Sequence, residues 1–360
     1  GNINAGGGGV NRNLIINGAM NVSQRHGTSS VQLSATEQYL TDRFFNDSGS
    51  SFDMKADAVQ STDAPSGFSN SLKLSCDGVS SLSSSSNGGI TQHIEGFNCQ
   101  PLAFGTSDAK AVTLSFYAKS SSQNSGHTYG IMLGAFLNGT RNIQTRGFTV
   151  TSSWQRFTMT FQPNSLVTST GINNDNNEGI QVFFSLAGGG DDLQNYSVWT
   201  NDQSLSGFTG QNNFFDNTSN EFFLTGVQLE IGQNATTFEH EPVERTLAKC
   251  QRYTYRINSN TSDDTMIGAG YHQATTQFRA IVHFPVTMRS GPTVTTNDAD
   301  LVLLRDTGSD DSVTLNGSLD ESEFNCGLNI SGVTSTTVGE GGILRLSTTG
   351  TGFMQFDSEL

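Results

Sequence analysis

From Val112 to Ser120 the chain reads VTLSFYAKS, with Val112, Leu114, Phe116 and Ala118 at every second position. A period of two puts these four on one face of an extended strand, so the stretch is a half-buried β-strand and not a helix. WQRFTMTF repeats the pattern: Phe157, Met159 and Phe161 follow Trp154 with one phase slip, which predicts a bulge. Phe222 to Gly232 alternates through Phe223, Thr225, Val227, Leu229 and Ile231, and Ile180 to Gly188 is apolar enough for a central strand. The turn-forming clusters SSQNSGH, LNGTRN, NNDNNEG and AGGGDD separate these runs. Many short strands with almost no helical period predict an all-β chain: an antiparallel jelly-roll sandwich followed by a second, smaller β-domain.

The boundaries follow from composition. Gly6 to Gly9 can bury nothing and cost much entropy to order, so residues 1–12 are expected to form a flexible Gly-rich attachment segment. The jelly roll is expected over 13–243, a short helical connector over 244–256 and the second β-domain over 257–360. Pro242 suits the first turn of the connector helix. Val243, Leu247 and Cys250 then fall on one face, with Tyr253 one turn on, an apolar stripe for contact between domains or subunits.

The 360 residues suffice for two sizeable cores. A net charge of −15 argues against nucleic acid, whose phosphates need a basic face, and against an anionic membrane surface. No run of about 20 apolar residues is present to insert in a membrane, and the first residues lack the basic start and apolar core of a secretory signal. Cys76, Cys99, Cys250 and Cys326 are far apart and form no CxxC pair. They read as buried or half-buried free thiols of a protein made in a reducing cytoplasm. The Asn-x-Ser/Thr triplets at Asn21, Asn138 and Asn234 are what chance supplies in so Asn-, Ser- and Thr-rich a chain.

Catalytic motifs are absent: no GxSxG, HExxH, phosphate loop or GxGxxG opening a helix. None of the six histidines has the spacing of a metal pair, and neither metal nor cofactor is expected. His283 reads as a strand-surface residue and His240 as part of a solvated turn. A glycan depolymerase would need two carboxylates about 5–10 Å apart. Asp191 with Asp192, or Glu221 with Glu230, are the candidates, but acids in Gly-rich turns read as solvated, and the chain is expected not to be an enzyme. Sugar binding asks for less: an aromatic plate and short polar side chains. Asp191, Asp192, Asn195, Tyr196 and Trp199 crowd the segment DDLQNYSVW and form the candidate carbohydrate site, the alternative being that Tyr196 and Trp199 are core aromatics. Trp154, opening an alternating strand, is expected in the core.

NLIINGAMNVSQR (Asn13 to Arg25), YLTDRFF (Tyr39 to Phe45), FTVTSSWQRFTMTF (Phe148 to Phe161) and FFLTGVQLEIGQNATTFEHEPVERTLAKCQRY (Phe222 to Tyr253) resemble, in this order, blocks of phage tail-fibre and virion-appendage proteins. The layout is also similar to jelly-roll carbohydrate-binding modules. The resemblance implies a structural virion protein, assembled in the host cytoplasm. It would bind host-surface glycan, join other virion proteins through its N-terminal segment and form a homotrimer. A capsid-decorating or head-fibre protein, or a depolymerase, are the alternatives. In the modules a structural calcium is often held by an acid closing the first motif and another before the last strand. Here Asn21 and the pair Thr225 and Gly226 stand at those places, which argues against the metal.

Overall fold

A computed structural model describes residues 12–49, 52–164, 171–204, 206–305, 308, 310–333, 337–348 and 350–360. The expected attachment segment lies, up to residue 11, outside the described residues. The described chain is nearly all β and divides into two units, one running up to Thr246 and including Leu360, the other Leu247–Glu359. The boundary falls inside the helix Val243–Gln251, and the next strand, from Thr254, already belongs to the second unit, so the connector is not a separate body.

The first unit begins with strands β1 (Val31–Gln32), β2 (Tyr39–Thr41), β3 (Phe44–Gly49), β4 (Ala56–Ser61), β5 (Ser71–Cys76) and β6 (Asn87–Glu95). Next come β7 (Val112–Ser120), β8 (Thr128–Leu137), β9 (Thr140–Thr149), β10 (Gln155–Phe161) and β11 (Glu178–Gly188). The short pieces β12 (Leu193–Gln194), β13 (Thr200–Asn201) and β14 (Gly207–Phe208) precede the long last strand β15 (Glu221–Ile231). Thirteen of them form a six-stranded sheet, β1-β4-β5-β15-β7-β10, and a seven-stranded sheet, β13-β9-β8-β11-β6-β3-β2, both antiparallel, while β12 and β14 pair in parallel. β11 is the middle strand of the second sheet, as its continuous apolar run predicts.

One core fills the space between the sheets. Leu74, Leu114, Phe116 and Leu224 from the first meet Ile90, Ile131, Val182 and Phe184 from the second, all fully buried. The phenylalanine surplus is spent here: Phe116 packs on Phe148, Phe157 and Phe184 with centroids 5.0, 5.3 and 5.1 Å away. Phenyl rings suit a dry interior because they carry no polar atom that needs a partner, and each buried one contributes roughly 1.5–3 kcal/mol.

Two pattern readings are corrected. β10 pairs with β7 in unbroken register, so the phase slip after Trp154 is no bulge. Trp154 and Phe157 are an odd number of residues apart and therefore lie on opposite faces. The bulge lies instead in β15, between Thr225 and Gln228, where Gly226 takes φ +62°. It swaps the faces mid-strand: Phe222 and Leu224 before it, Val227 and Leu229 after it, point into the core, while Phe223 points out.

In the second unit the strands are β16 (Thr254–Asn258), β17 (Thr265–Ala274), β18 (Gln277–His283), β19 (Thr293–Thr296), β20 (Leu301–Arg305), β21 (Asp310–Ser312), β22 (Thr314–Leu319), β23 (Asn325–Ser331), β24 (Gly341–Leu346) and β25 (Phe353–Asp357). A three-stranded sheet, β16-β25-β19, accompanies a seven-stranded one, β21-β20-β24-β17-β18-β23-β22, around a core that includes Phe278, Leu303, Leu328, Leu344 and Phe356. Of the predicted contact stripe, Cys250 and Tyr253 are buried, Leu247 is half-buried and Val243 is 55% exposed, so the stripe is not uniformly covered. All four cysteines are free and buried.

Candidate functional site

The seven-stranded sheet turns one face to the core and one away from it. On the outer face, cross-strand register lines up Tyr39, Phe45, Thr91, Phe183, Met132 and Thr145 from β2 to β9. The adjacent row is polar: His93 on β6 opposes Gln181 on β11, which opposes Gly134 on β8. A Cβ at Gly134 would stand 3.3 Å from Arg141 Cδ and 3.4 Å from Gln181 Cβ. The bare glycine leaves room for Arg141 of β9 to lie across β8 and donate from Nη1 to Gln181 Oε1 at 2.9 Å. Gln181 Nε2 in turn donates to Asp47 Oδ2 at 3.3 Å and to Thr91 Oγ1 at 3.4 Å. His93 Nδ1 meets Glu178 Oε1 at 2.6 Å, and its ring stands edge-on to Phe45. His93 Nε2, although buried, has no hydrogen-bond partner among the described residues.

These groups perturb one another. Burial raises the Asp47 carboxyl to about 6, against the opposing charges of His93 and Arg141 and with added repulsion from Glu37 and Glu178. Burial lowers the Arg141 guanidinium, offset by Asp47, Asp202 and Glu178. Desolvated, mutually held charges on the outside of a sandwich are unusual for a purely structural face, which normally carries solvated side chains. At one flank Tyr39 stacks under Arg25, 4.3 Å from ring centroid to guanidinium carbon. At the other, Tyr196 packs on Met132, Ile143 and Phe183, with its hydroxyl donating to Asp202 Oδ2 at 3.1 Å.

The predicted carbohydrate segment is only partly here. Tyr196 reaches this face, half-buried, but Trp199 is 7% exposed in the core, packed on Phe104 and donating Nε1–H to the Gln162 carbonyl at 2.6 Å. The chain bends between them, at Ser197 and Val198, and the two rings end in different surroundings. Trp199 is thus corrected from rim to core, and Trp154 from core to surface, where it is half-buried on the outer face of the other sheet. Asp191 and Asn195 are exposed, whereas Asp192 is buried, which raises its carboxyl against an Asn87 hydrogen bond. The residues that do converge, Asp47, Arg141, Gln181, His93 and Glu178, were not found from sequence. The one signal was Gln181, a lone amide in the apolar run of β11.

Of the two proposed carboxylate pairs, Asp191 and Asp192 are neighbours with one side chain exposed and one buried, while Glu221 and Glu230 do not assemble. Glu221 and Glu230 sit nine residues apart along one strand, roughly 30 Å. Glu221 pairs with Lys73 at 2.6 Å, and Glu230 accepts from Thr236 N and Oγ1, both at 2.8 Å. The two positions where a module would hold calcium do meet, through an amide: Asn70 Nδ2 donates to Asn21 Oδ1 at 3.1 Å and Thr225 Oγ1 donates to the Asn70 carbonyl at 2.8 Å. The blocks behind the sequence resemblance also meet. Glu239 Oε2 accepts the backbone N–H of Arg12 and Asn13 at 2.8 and 3.0 Å, and Asn13 bonds β15 at Val227 and Leu229. These motifs therefore clasp the first residues to the last strand.

No family model matches the chain, and no curated protein does. Among solved structures it is similar to the CBM22-1 xylan-binding domain from Paenibacillus barcinonensis Xyn10C, with 10% identity over 58% of this chain and 99% of that one, TM-score 0.30. It is similar to the family 11 carbohydrate-binding module of Lic26A-Cel5E of Clostridium thermocellum, with 15% identity, 58% and 98% covered, TM-score 0.30. The enzymatically active domain of bacteriophage CBA120 tailspike protein 4 gives 11% identity, 61% of this chain and 22% of that one, TM-score 0.32.

Proposed function

We propose that the chain is a non-catalytic attachment protein of a phage virion that binds a host-surface glycan on the outer face of its seven-stranded sheet. The observation that carries the glycan reading is the chain Arg141–Gln181–Asp47, held across five strands between Tyr196 and Tyr39. Pre-positioned guanidinium, amide and carboxyl groups suit hydroxyls, and flanking rings suit the apolar face of a pyranose. The net charge of −15 disfavours anionic glycans at low salt, so the ligand is a neutral one. The virion setting rests on the ordered sequence blocks from Asn13 to Tyr253. A homotrimer joined to other virion proteins by residues 1–12 would multiply weak sites through avidity.

The test is retention of the full chain on immobilised host glycan, with Tyr196→Ala and Gln181→Ala as variants and a thermal melt beside each. Loss of retention without a large fall in melting temperature is expected; unchanged retention overturns the reading. A second reading is favoured by one observation. A carboxyl held at about 6, as Asp47 is, suits a general acid, with Glu178 on the same face. Release of reducing ends from host polysaccharide, lost in Asp47→Asn, would establish that depolymerase instead.

A further inference from the structure

We propose that the first unit carries a second, separate saccharide-binding surface on the outer face of the six-stranded sheet, centred on Trp154 and taking a neutral pyranose ring. Register builds it. Phe223 on β15 opposes Lys73 on β5 and Lys119 on β7, and Trp154 stands just ahead of β10, the next strand. The four side chains make a row of lysine, phenyl, lysine and indole across the sheet.

The row is braced at every member. Trp154 donates Nε1–H to Asp63 Oδ1 at 3.1 Å and meets the Phe223 ring edge-on at 6.1 Å. Lys119 is paired with the same Asp63, and its ammonium lies 5.5 Å from the Trp154 centroid and 4.5 Å from that of Phe223. Lys73 covers Phe223 from the other side at 5.3 Å and pairs with Glu221 at 2.6 Å. An indole locked by a hydrogen bond and a ring contact loses little entropy when a ligand stacks on it.

The same contacts select the ligand class. A cation finds the phenyl face already met by two lysines. An anion would have to displace Asp63 or Glu221 from those lysines. A neutral sugar ring needs neither exchange: its C–H face meets the half-exposed indole, and its hydroxyls find paired donors and acceptors at the rim.

The test separates this surface from the Arg141–Gln181–Asp47 face of the other sheet. The full chain, Gln181→Leu, Trp154→Ala and the double variant are run by affinity electrophoresis through gels containing mannan, β-glucan or N-acetylglucosamine oligomers. Tryptophan emission is titrated alongside with soluble oligomers of the same three sugars. Trp199 is buried in the core, so Trp154 is the emitter a ligand can reach. Expected are a residual retardation in Gln181→Leu that Trp154→Ala removes, and a saturable emission shift in wild type and Gln181→Leu alike. No retardation dependent on Trp154 with any of the three sugars, or an emission shift that vanishes in Gln181→Leu, overturns the second surface. The Trp154 dependence leaves the Gln181 face untouched, and that face is read from the retardation of Gln181→Leu against wild type.

Discussion

Arg141 reaches Gln181 two strands away, Nη1 to Oε1 at 2.9 Å, by lying over the backbone of Gly134. The glycine between them leaves the space: even a methyl there would stand 3.3 Å from Arg141 Cδ, and a branched side chain would reach into the guanidinium's path.

Gly134→Val should therefore break the contact without touching either partner. A hydrogen bond to a charged group is worth about 1.5–3 kcal/mol, so glycan retention should fall about tenfold or more if this chain forms the binding floor. Retention assays beside a thermal melt check it. A variant that still binds as wild type would mean that Arg141 and Gln181 do not contact the ligand.

Asp47 predicts a pH dependence whose sign is fixed by burial. Its folded value, about 6, lies above the ordinary carboxyl range, so the folded protein holds the proton more tightly than the unfolded chain. Ionised Asp47 costs stability above pH 6, and that cost is relieved as pH falls from 6 towards 4. Asp47→Asn should stabilise the first unit at pH 7.5 by on the order of 1 kcal/mol, discounted for partial exposure. It should also flatten the wild-type slope between pH 4 and 6 in denaturant titrations. An unchanged slope would mean that Asp47 titrates as a solvated acid.

The two tryptophans should separate by stability. Trp199→Ala leaves a cavity beside Phe104 and removes the donor to the Gln162 carbonyl, at a cost of about 3–5 kcal/mol. Trp154→Ala removes a half-exposed ring and should cost about 1 kcal/mol or less. Denaturation midpoints decide the matter; equal losses would put both rings in the core.

Glu239→Ala should release the start of the first unit. It leaves the amides of Arg12 and Asn13 without their shared acceptor, at about 1–3 kcal/mol. Hydrogen exchange read by mass spectrometry should show faster exchange at residues 12–14, with β11 as protected as before. Unchanged exchange there would show that β15 alone holds the segment, through Leu14 N–H on the Leu229 carbonyl at 2.9 Å.

The sequence by itself determined that the chain is β, where most long strands lie, that β11 is central, and that two separate cores form. Period-two alternation and turn chemistry are local properties, and local spacing suffices for them. It did not determine which way a face points once a residue is inserted. Gly226 in a left-handed conformation shifts β15 by one, so the alternation through Phe223 and Thr225 is real but outward. Trp154 and Trp199 exchanged places because sequence marks an aromatic without its side: odd spacing sets Trp154 opposite Phe157, a bend at 197–198 turns Trp199 inward, and only packing says which side is core. The Arg141–Gln181–Asp47 chain lay furthest from view. Asp47 and Gln181 are separated by 134 residues, and their meeting across β6 depends on strand order and register. No spacing along the chain encodes that, because antiparallel pairing in a sandwich brings together residues whose only common property is their place in the sheet.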